Sequence, residues 1–324
     1  MTTSWSYTRG LHDLGNSVYA YLQPTGSWGW SNAGIVTDGE SALLIDTLYD
    51  LKLTQEMLDT MRRSIPAAAH IETVVNTHGD GDHCHGNQLV ADALIIASKR
   101  AAEQMMKEPP PEILTKMVEH APQGPEGDFM RETLGAFDFR GITLTMPQKT
   151  FEQSLTLFVG DKRVELIEVG PAHTPGDTLV YVPEDRTIFT GDILFIGGHP
   201  IVWAGPISNW LHACDRILDL DVVTIVPGHG PITDKNGVRE VKSYLEYIYA
   251  EARSRYEKGM SAFDAARDIV LTPYNAWING ERIVANVAAA YREFSGVSEP
   301  ENVHKLFAQM AHVYYGTTTN SSLK

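Results

Sequence analysis

The chain has 324 residues, of which 43% are hydrophobic, and its formal net charge is -15. A chain of this length and composition can bury a large core, so the composition excludes disorder of the whole chain. Asp and Glu number 41 against 26 Lys and Arg, and this acidic excess opposes binding to a polyphosphate backbone. We therefore expect no nucleic-acid partner.

The amino terminus reads MTTSWS and has no basic segment followed by an apolar stretch. Nowhere does an uninterrupted apolar run reach the length of a membrane span. We therefore expect a cytoplasmic protein without a membrane partner, and the sequence leaves open whether it forms a homo-oligomer. The two cysteines, Cys84 and Cys214, are far apart in the chain and predict neither a disulfide framework nor a cysteine zinc knuckle.

Taken in chain order, runs rich in β-branched residues predict strands in both halves of residues 1–237. Helix-like stretches separate several of these strands, among them a helix near residues 207–218. This alternation indicates an α/β layered domain. The predicted strands are 33–36, 42–46, 71–76, 94–97, 155–158, 164–169, 178–182, 187–190 and 222–226.

Two segments depart from this layered pattern. Residues 99–148 predict a cap insertion, in which two short helices flank Pro109-Pro110-Pro111 and a loop rich in Gly, Pro and acidic residues follows at 122–128. Residues 238–324 are almost wholly helical in pattern and predict a helical C-terminal extension.

The segment most informative about function is residues 74–87, which read VVNTHGDGDHCHGN. An apolar strand runs there into a loop crowded with imidazoles and carboxylates, and such groups repel or desolvate one another unless a cation gathers them. Glycines at 79, 81 and 86 are expected to allow tight turns that bring the side chains together. This density of ligand-type residues predicts a metal site.

Three further segments place a potential ligand next to Gly or Pro directly after apolar residues. They contain His173 in AHTPGD, Asp192 in FTGD and His229 in VPGHGP. Four such loops at one sheet edge would form one pocket.

These motifs resemble the signature of the metallo-β-lactamase superfamily, which reads HxHxDH and is followed by a distant His, an Asp after a strand and a final His between glycines. The resemblance covers roughly residues 15–235 in order. It implies an αββα sandwich, in which two mixed β-sheets pack face to face with helices outside.

The resemblance also implies how the ligands divide between two metal ions. His78, residue 80 and His173 would hold the first ion. Asp82, His83 and His229 would hold the second, and Asp192 would bridge the two. Asp46 matches the family's usual carboxylate that orients a ligand through a hydrogen bond.

Asp80 is a departure, because it stands where the family signature has its second histidine. A carboxylate is a harder ligand than imidazole and adds negative charge, which shifts preference from zinc toward iron or manganese or weakens the first site. We expect one or two Zn²⁺ ions as the cofactor and keep Fe and Mn open.

The ligand set and the resemblance together predict a metal-dependent hydrolase, in which a metal-bound hydroxide attacks a small, mostly apolar ester, thioester, lactone or amide. Asp82 and Asp80 are the candidate catalytic proton carriers. The acidic composition, the insertion and the helical extension favour a small-molecule substrate over a polymer.

Several alternatives stay open. His78, His173 and Asp192 alone could supply the two-histidine, one-carboxylate face of a non-haem iron oxygenase. A hydrolytic dehalogenase, a β-lactamase and a metal-binding scaffold without catalysis are also compatible with the sequence.

Outside the ligand set, some residues are candidates for the pocket wall. His85 could point into the pocket or cap the following helix. His199, Trp203 and Trp277 are candidate substrate-binding residues, with Tyr274, Asn279 and Arg282 as further candidates for the wall contributed by the C-terminal extension.

Overall fold

The computed structural model of the protein describes residues 5–297, 299 and 301–321. Within them the chain forms two mixed β-sheets, with helices on the outer face of each. Strands and helices follow one another along the chain much as the sequence pattern predicts. The candidate ligands lie where strands end.

The first sheet contains, in the described chain, seven strands that lie side by side in chain order. They are β1 (Gly10–Asp13), β2 (Val18–Leu22), β3 (Ala33–Asp38), β4 (Ser41–Ile45), β5 (Thr73–Val75), β6 (Leu94–Ser98) and β7 (Lys149–Phe151). The strands from β1 to β4 pair antiparallel, and those from β4 to β7 pair parallel. The carboxyl ends of β4, β5 and β6 therefore meet at one edge.

The second sheet contains, over the same described residues, five strands in the order β12-β11-β10-β9-β8. They are β8 (Ser154–Val159), β9 (Lys162–Glu168), β10 (Thr178–Val182), β11 (Thr187–Phe189) and β12 (Thr224–Val226). Only β11 and β12 pair parallel, so their carboxyl ends also share an edge. The predicted strand at 178–182 matches β10 residue for residue.

Alternating apolar residues of the two sheets face each other and form the central core. Val36 and Ile45 of the first sheet belong to one buried cluster with Val164, Val180 and Phe189 of the second. The intervening residues of the same strands, such as Leu44 and Ile188, belong to other clusters shared with helices. This period-two division is what a sheet covered on both faces requires. The predicted αββα sandwich is therefore confirmed.

Helices cover both outer faces. Helix α1 (Leu51–Ser64) places Leu53, Met57, Leu58 and Met61 against the first sheet. Helices α6 (Ile207–Asp219) and α7 (Lys235–Glu257) cover the second sheet, and α8 (Ala262–Asp268) and α9 (Ile283–Ser295) pack against α7. The short α2 (Gly81–Cys84) lies within the metal motif. Among the described residues, no helix has both the length and the apolar character needed to cross a bilayer.

The segment predicted as an insertion contains α3 (Lys99–Met105), α4 (Pro111–Glu119) and α5 (Pro125–Leu134). The loop expected at 122–128 is shorter than predicted, because Pro125 occupies the first turn of α5, where proline needs no N–H partner. The C-terminal helix α10 (Val303–Ser321) contacts α5 through Phe307 and Phe129, whose ring centroids lie 6.0 Å apart. The domain limits remain predictions from the sequence.

Candidate metal centre

The candidate ligands follow strand ends of both sheets at one edge of the sandwich. Asp46 directly follows β4, and His78 lies three residues beyond β5. Asp192 and His229 each lie three residues beyond β11 and β12, and His173 lies in the loop between β9 and β10. The sequence predicted one sheet edge, whereas the structure uses two, joined by a hydrogen bond of 2.8 Å from the Thr178 amide to the Thr77 carbonyl.

The Asp192 carboxylate lies in the middle of the ligand set. Its Oδ2 is 3.3 Å from Nε2 of His173 and 3.3 Å from Nε2 of His229. Its Oδ1 is 3.1 Å from Nε2 of His83, and Oδ2 is 3.9 Å from Nε2 of His78. One buried carboxylate thus reaches all four imidazoles.

Two groups of three residues flank Asp192, and each offers two imidazoles and one carboxylate. The ligand atoms within each group lie within 4.8 Å of one another. In the first group Asp80 Oδ2 is 3.1 Å from His173 Nε2 and 3.9 Å from His78 Nε2. In the second group Asp82 Oδ2 is 3.3 Å from His229 Nε2 and 3.9 Å from His83 Nε2. All seven predicted ligands are therefore brought together.

The chemistry of these atoms fits a divalent cation. Nε2 of His78 is buried and has no hydrogen-bond partner among the described residues, and the buried Nε2 of His83 and Oδ1 of Asp192 face each other at 3.1 Å without hydrogen-bond geometry. Buried polar atoms without partners are costly, and these converge on one another rather than on protein donors. Nitrogen and oxygen donors in this mixture suit zinc, iron or manganese.

The electrostatic environment within the cluster gives His78 and His173 very different pKa values. Burial, together with the neighbouring His83, lowers the pKa of His78 to about 3. Burial also lowers the pKa of His173, but the Asp192 and Asp80 carboxylates outweigh burial and raise it to about 9. In the metal-free protein, acidic neighbours thus hold a proton on His173 that a metal must displace.

The chain matches the sequence model of a known protein family. The sequence model described as "Metallo-beta-lactamase superfamily" matches residues 26–229, which is more than half of the chain and includes every candidate ligand. The chain belongs to the metallo-beta-lactamase superfamily. The family resemblance is therefore confirmed.

Two curated relatives show how far sequence similarity extends. The chain is 22% identical over 218 residues to "Beta-lactamase-like protein 2 homolog" of Caenorhabditis elegans, an alignment that covers 67% of this chain and 61% of the relative. It is 33% identical over 78 residues to "2,4-dinitroanisole O-demethylase subunit alpha" of Nocardioides sp., covering 24% of each protein. The chain thus spans less than two thirds of each relative's length.

Solved structures share the fold at low identity. The stereoselective inverting sec-alkylsulfatase Pisa1 from Pseudomonas sp. matches 89% of this chain and 50% of its own, with a TM-score of 0.64 and 14% identity. A metallo-beta-lactamase from Pontibacter korlensis matches 74% of this chain and 99% of its own, with a TM-score of 0.57 and 19% identity. At these identities the likeness shows the fold alone.

Within the superfamily signature, the sequence motif of this member reads HxDxDH rather than HxHxDH. The structure groups Asp80 with His78 and His173, as the family resemblance implies for residue 80. Asp80 therefore adds a carboxylate to the site without displacing the other candidate ligands.

Buried polar residues that the sequence did not reveal hold two of the ligand loops. Asp177 accepts hydrogen bonds from the Thr174 amide (3.0 Å) and the Ala172 amide (3.1 Å), which closes the turn that carries His173. Asn32 donates to the carbonyls of Pro227 (3.0 Å) and Gly230 (2.8 Å), on either side of His229. Asp and Asn are common in loops, so neither residue stands out by its sequence position alone.

The ring of His173 is oriented by the backbone. Its Nδ1 lies 2.7 Å from the Ile201 carbonyl, and a carbonyl can only accept, so Nδ1 carries the proton in this contact. Nε2 then faces Asp80 and Asp192. A backbone contact of this kind has no sequence signal.

The motif glycines serve a different purpose from the one expected. Gly79, Gly81 and Gly86 do not have the positive φ that only glycine adopts readily. Instead, a Cβ at Gly81 would overlap the His85 ring, and a Cβ at Gly86 would overlap Thr54. These glycines are required by close packing rather than by tight turns.

His85 belongs to no ligand group found in the described residues. Its ring stacks on Tyr49 with centroids 5.5 Å apart, and its Nδ1 lies 3.3 Å from the Tyr49 carbonyl. Phe139 contacts its other side at 6.2 Å. His85 therefore packs behind the motif.

An aromatic cluster adjoins the first ligand group, and we name Trp28, Phe129, Trp203 and Phe307 the aromatic wall. The Trp203 amide donates to the His173 carbonyl at 3.1 Å. Its ring lies 6.4 Å from Trp28 and stacks on Phe307 at 6.3 Å with an interplanar angle of 7°. Trp203 was a candidate from the sequence, whereas Trp28, Phe129 and Phe307 were not, because they come from three distant parts of the chain.

His199 and Trp277 lie together, and neither belongs to a ligand group in the described residues. His199 is 1% exposed, and its ring packs against Tyr244 and Trp277 with centroids 5.0 and 5.7 Å apart. Trp277 lines a surface pocket with Tyr274 and Arg239 that includes none of the metal-site residues. Their substrate-binding role stays a prediction. Arg282 lies nearer the centre, with its guanidinium over Trp28 at 4.4 Å.

Proposed function

We propose that this protein is a metal-dependent hydrolase of a small, mostly apolar substrate with an ester, thioester, lactone or amide bond. The observation that carries the proposal is the position of Asp192, whose two oxygens lie within 3.1 to 3.3 Å of three histidines from two flanking ligand groups. Membership of the superfamily supports this reading.

The ligand groups suggest two ion positions. His78, Asp80 and His173 would hold one divalent ion, and Asp82, His83 and His229 would hold the other, with Asp192 between them. Bound ions of this kind lower the pKa of a coordinated water from about 15.7 toward about 7 and polarise the substrate oxygen.

Two carboxylates of the centre have solvent access. The side chains of Asp80 and Asp82 are 21% and 13% exposed, whereas that of Asp192 is 4% exposed. A group that exchanges protons with substrate or bulk water needs such access. We therefore assign proton transfer to Asp82 or Asp80, whereas Asp192 would bind the metal ions.

The aromatic wall supports an apolar substrate. Trp203 is half-buried and joins the loop of His173 to α10 through Phe307. Large aromatic surfaces beside polar ligands are typical of small-molecule sites. The relatives named as a sec-alkylsulfatase, a metallo-beta-lactamase and a 2,4-dinitroanisole O-demethylase suggest adding an alkyl sulfate, a β-lactam and 2,4-dinitroanisole to the substrate panel.

The test begins with metal analysis of the purified protein. Removing the metal with a chelator should abolish turnover of the ester, thioester, lactone and amide panel, and adding back Zn²⁺, Mn²⁺ or Fe²⁺ should restore it and identify the ion. Oxygen consumption with iron bound would favour an oxygenase instead. Halide release would favour the dehalogenase.

Two ligand variants and one control complete the test. His83→Ala and Asp192→Ala should reduce both bound metal and turnover to background while the far-ultraviolet circular dichroism stays unchanged. His120→Ala, an exposed histidine in the segment of α4 and α5, should behave like the original protein. Full turnover in either ligand variant would refute the proposal.

A further inference from the structure

A short hydrogen bond connects α3 to Asp80, the residue that departs from the family signature. Nε2 of Gln104 lies 2.6 Å from Oδ1 of Asp80. The other oxygen, Oδ2, lies 3.1 Å from Nε2 of His173. The two oxygens of this carboxylate are thus divided, one facing the helix and one facing the ligand cluster.

The Gln104 amide is oriented toward Asp80 in a way that leaves its own oxygen without a hydrogen bond. A carboxylate only accepts hydrogen bonds, so the amide must present its nitrogen, and it also donates to Oε1 of Glu108 at 3.3 Å. The amide oxygen is then buried without a hydrogen-bond partner in the part of the chain that the structure describes. The free-energy cost of the unpaired amide oxygen is thus offset by the charge-assisted hydrogen bond to Asp80.

Helix α3 contacts both the loop that carries His173 and the loop of the metal motif. The Ser98 hydroxyl donates to the Gly176 carbonyl at 2.7 Å and accepts from the Ala101 amide at 3.1 Å, which caps the helix. Gly176 belongs to the loop of His173. On the other side, a Cβ at Gly79 would lie 2.8 Å from Oε1 of Gln104, so the motif loop approaches the helix as closely as only glycine permits.

We propose that Gln104 is the positioning residue for Asp80, and that it directs Oδ2 toward the metal position which the first ligand group forms. A histidine presents one nitrogen in the ring plane, whereas an aspartate can rotate and present either oxygen. Fixing Oδ1 removes that freedom, so the carboxylate can take the place of the missing histidine. This inference rests on the proposed metal centre.

The test compares Gln104→Met with Gln55→Met. Methionine keeps the length and helix preference of glutamine but has no N–H donor. Gln55 lies on α1 and donates to Asp59 at 2.8 Å on the exposed face, so its variant removes the same kind of bond away from the centre. Co²⁺ is the probe, because its absorption spectrum reports the ligands and competition with a chelator gives its affinity.

Asp80→Ala identifies the Co²⁺ equivalent that depends on Asp80. We expect Gln104→Met to weaken the binding of this Co²⁺ ion about 10- to 100-fold, the range for partners that orient a ligand. The absorption spectrum of the bound Co²⁺ should change as well. Gln55→Met should leave both unchanged. In Asp80→Ala, adding Gln104→Met should cause no further loss, because Gln104 acts through Asp80.

The outcomes separate the two proposals. If the original protein binds no metal, the proposed function fails. If it binds Co²⁺ but Gln104→Met matches it in affinity and spectrum, or if Gln104→Met weakens binding equally with and without Asp80, the positioning role is overturned while the metal centre stands.

Discussion

The buried carboxylate of Asp46 holds the ring of His83. Its Oδ2 lies 2.9 Å from Nδ1 of His83 and accepts a hydrogen bond of 2.7 Å from the Thr77 hydroxyl. Its Oδ1 accepts from the Thr77 amide at 2.7 Å. Asp46 has a φ of 61°, a left-handed conformation that aspartate tolerates better than most residues. One side chain thus sets both the His83 tautomer and the turn that precedes His78.

Asp46→Asn should therefore weaken metal binding. An amide presents one oxygen and an NH₂ group, so it cannot accept from the Thr77 amide, the Thr77 hydroxyl and the His83 ring as the carboxylate does. We expect a 10- to 100-fold loss of affinity, about the range for partners that orient a ligand, measured by competition with a chelator. Asp138→Asn removes an exposed carboxylate that pairs with Arg140 and should have no effect. Unchanged affinity in Asp46→Asn would contradict this role.

The sequence predicts the ligands because their chemistry is local. Residues 74–87 place four candidate ligands within six positions, and the apolar run before them predicts β5. The remaining ligands follow other strand ends, which a period-two pattern also reveals. Strands β1, β2 and β7 were not predicted; β1 and β7 have four and three residues, too few for a pattern to show.

The supporting contacts could not be read from the sequence. Asn32 reaches carbonyls 195 and 198 residues away, and Gln104 reaches Asp80 across 24 residues. Neither residue differs in kind from an ordinary polar residue of a loop or helix. Only the packing of the two sheets and of α3 brings them to the centre, so their role is a tertiary property.

Metal affinity should rise with pH between 6 and 9. The Asp192 and Asp80 carboxylates outweigh the effect of burial and raise the pKa of His173 in the metal-free protein to about 9. Below that pKa the ion must displace a proton. The Asp192 and Asp82 carboxylates also outweigh burial and raise the pKa of His83 and of His229, so affinity should increase by at least about tenfold per pH unit over this range. His78, with a pKa lowered by burial to about 3, is already neutral and contributes nothing over this range.

Calorimetric titration at pH 7 measures this proton release. In buffers with different ionisation enthalpies the apparent binding enthalpy should change in proportion to the number of protons released. Equal enthalpies in all buffers, together with the same affinity at pH 6 and pH 8, would show that no imidazolium is displaced.

Trp203→Ala should change substrate preference and leave the metal in place. The ring belongs to the aromatic wall, while only its backbone amide contacts the His173 carbonyl, and alanine keeps that amide. We expect kcat/KM for a bulky aryl ester to fall at least about tenfold relative to a small acetate ester, as for lost apolar contact in a binding pocket. Trp277→Ala provides the comparison. A larger loss of kcat/KM in Trp277→Ala than in Trp203→Ala would indicate that the substrate contacts His199 and Trp277 instead.

Gly228→Ala should disable the centre without changing any ligand. A Cβ at this position would overlap Oδ1 of Asp192 and lie 2.6 Å from the carbonyl carbon of Gly191, so either the carboxylate or the backbone must move. Because Asp192 lies close to all four imidazoles, its displacement should lower bound metal and turnover together. Gly280→Ala is the matched control, since its nearest heavy atoms, in His199 and Leu271, are 3.8 Å from the added Cβ, an ordinary contact distance. If Gly228→Ala retained full metal and turnover, the position of Asp192 would not be what holds the two ligand groups together.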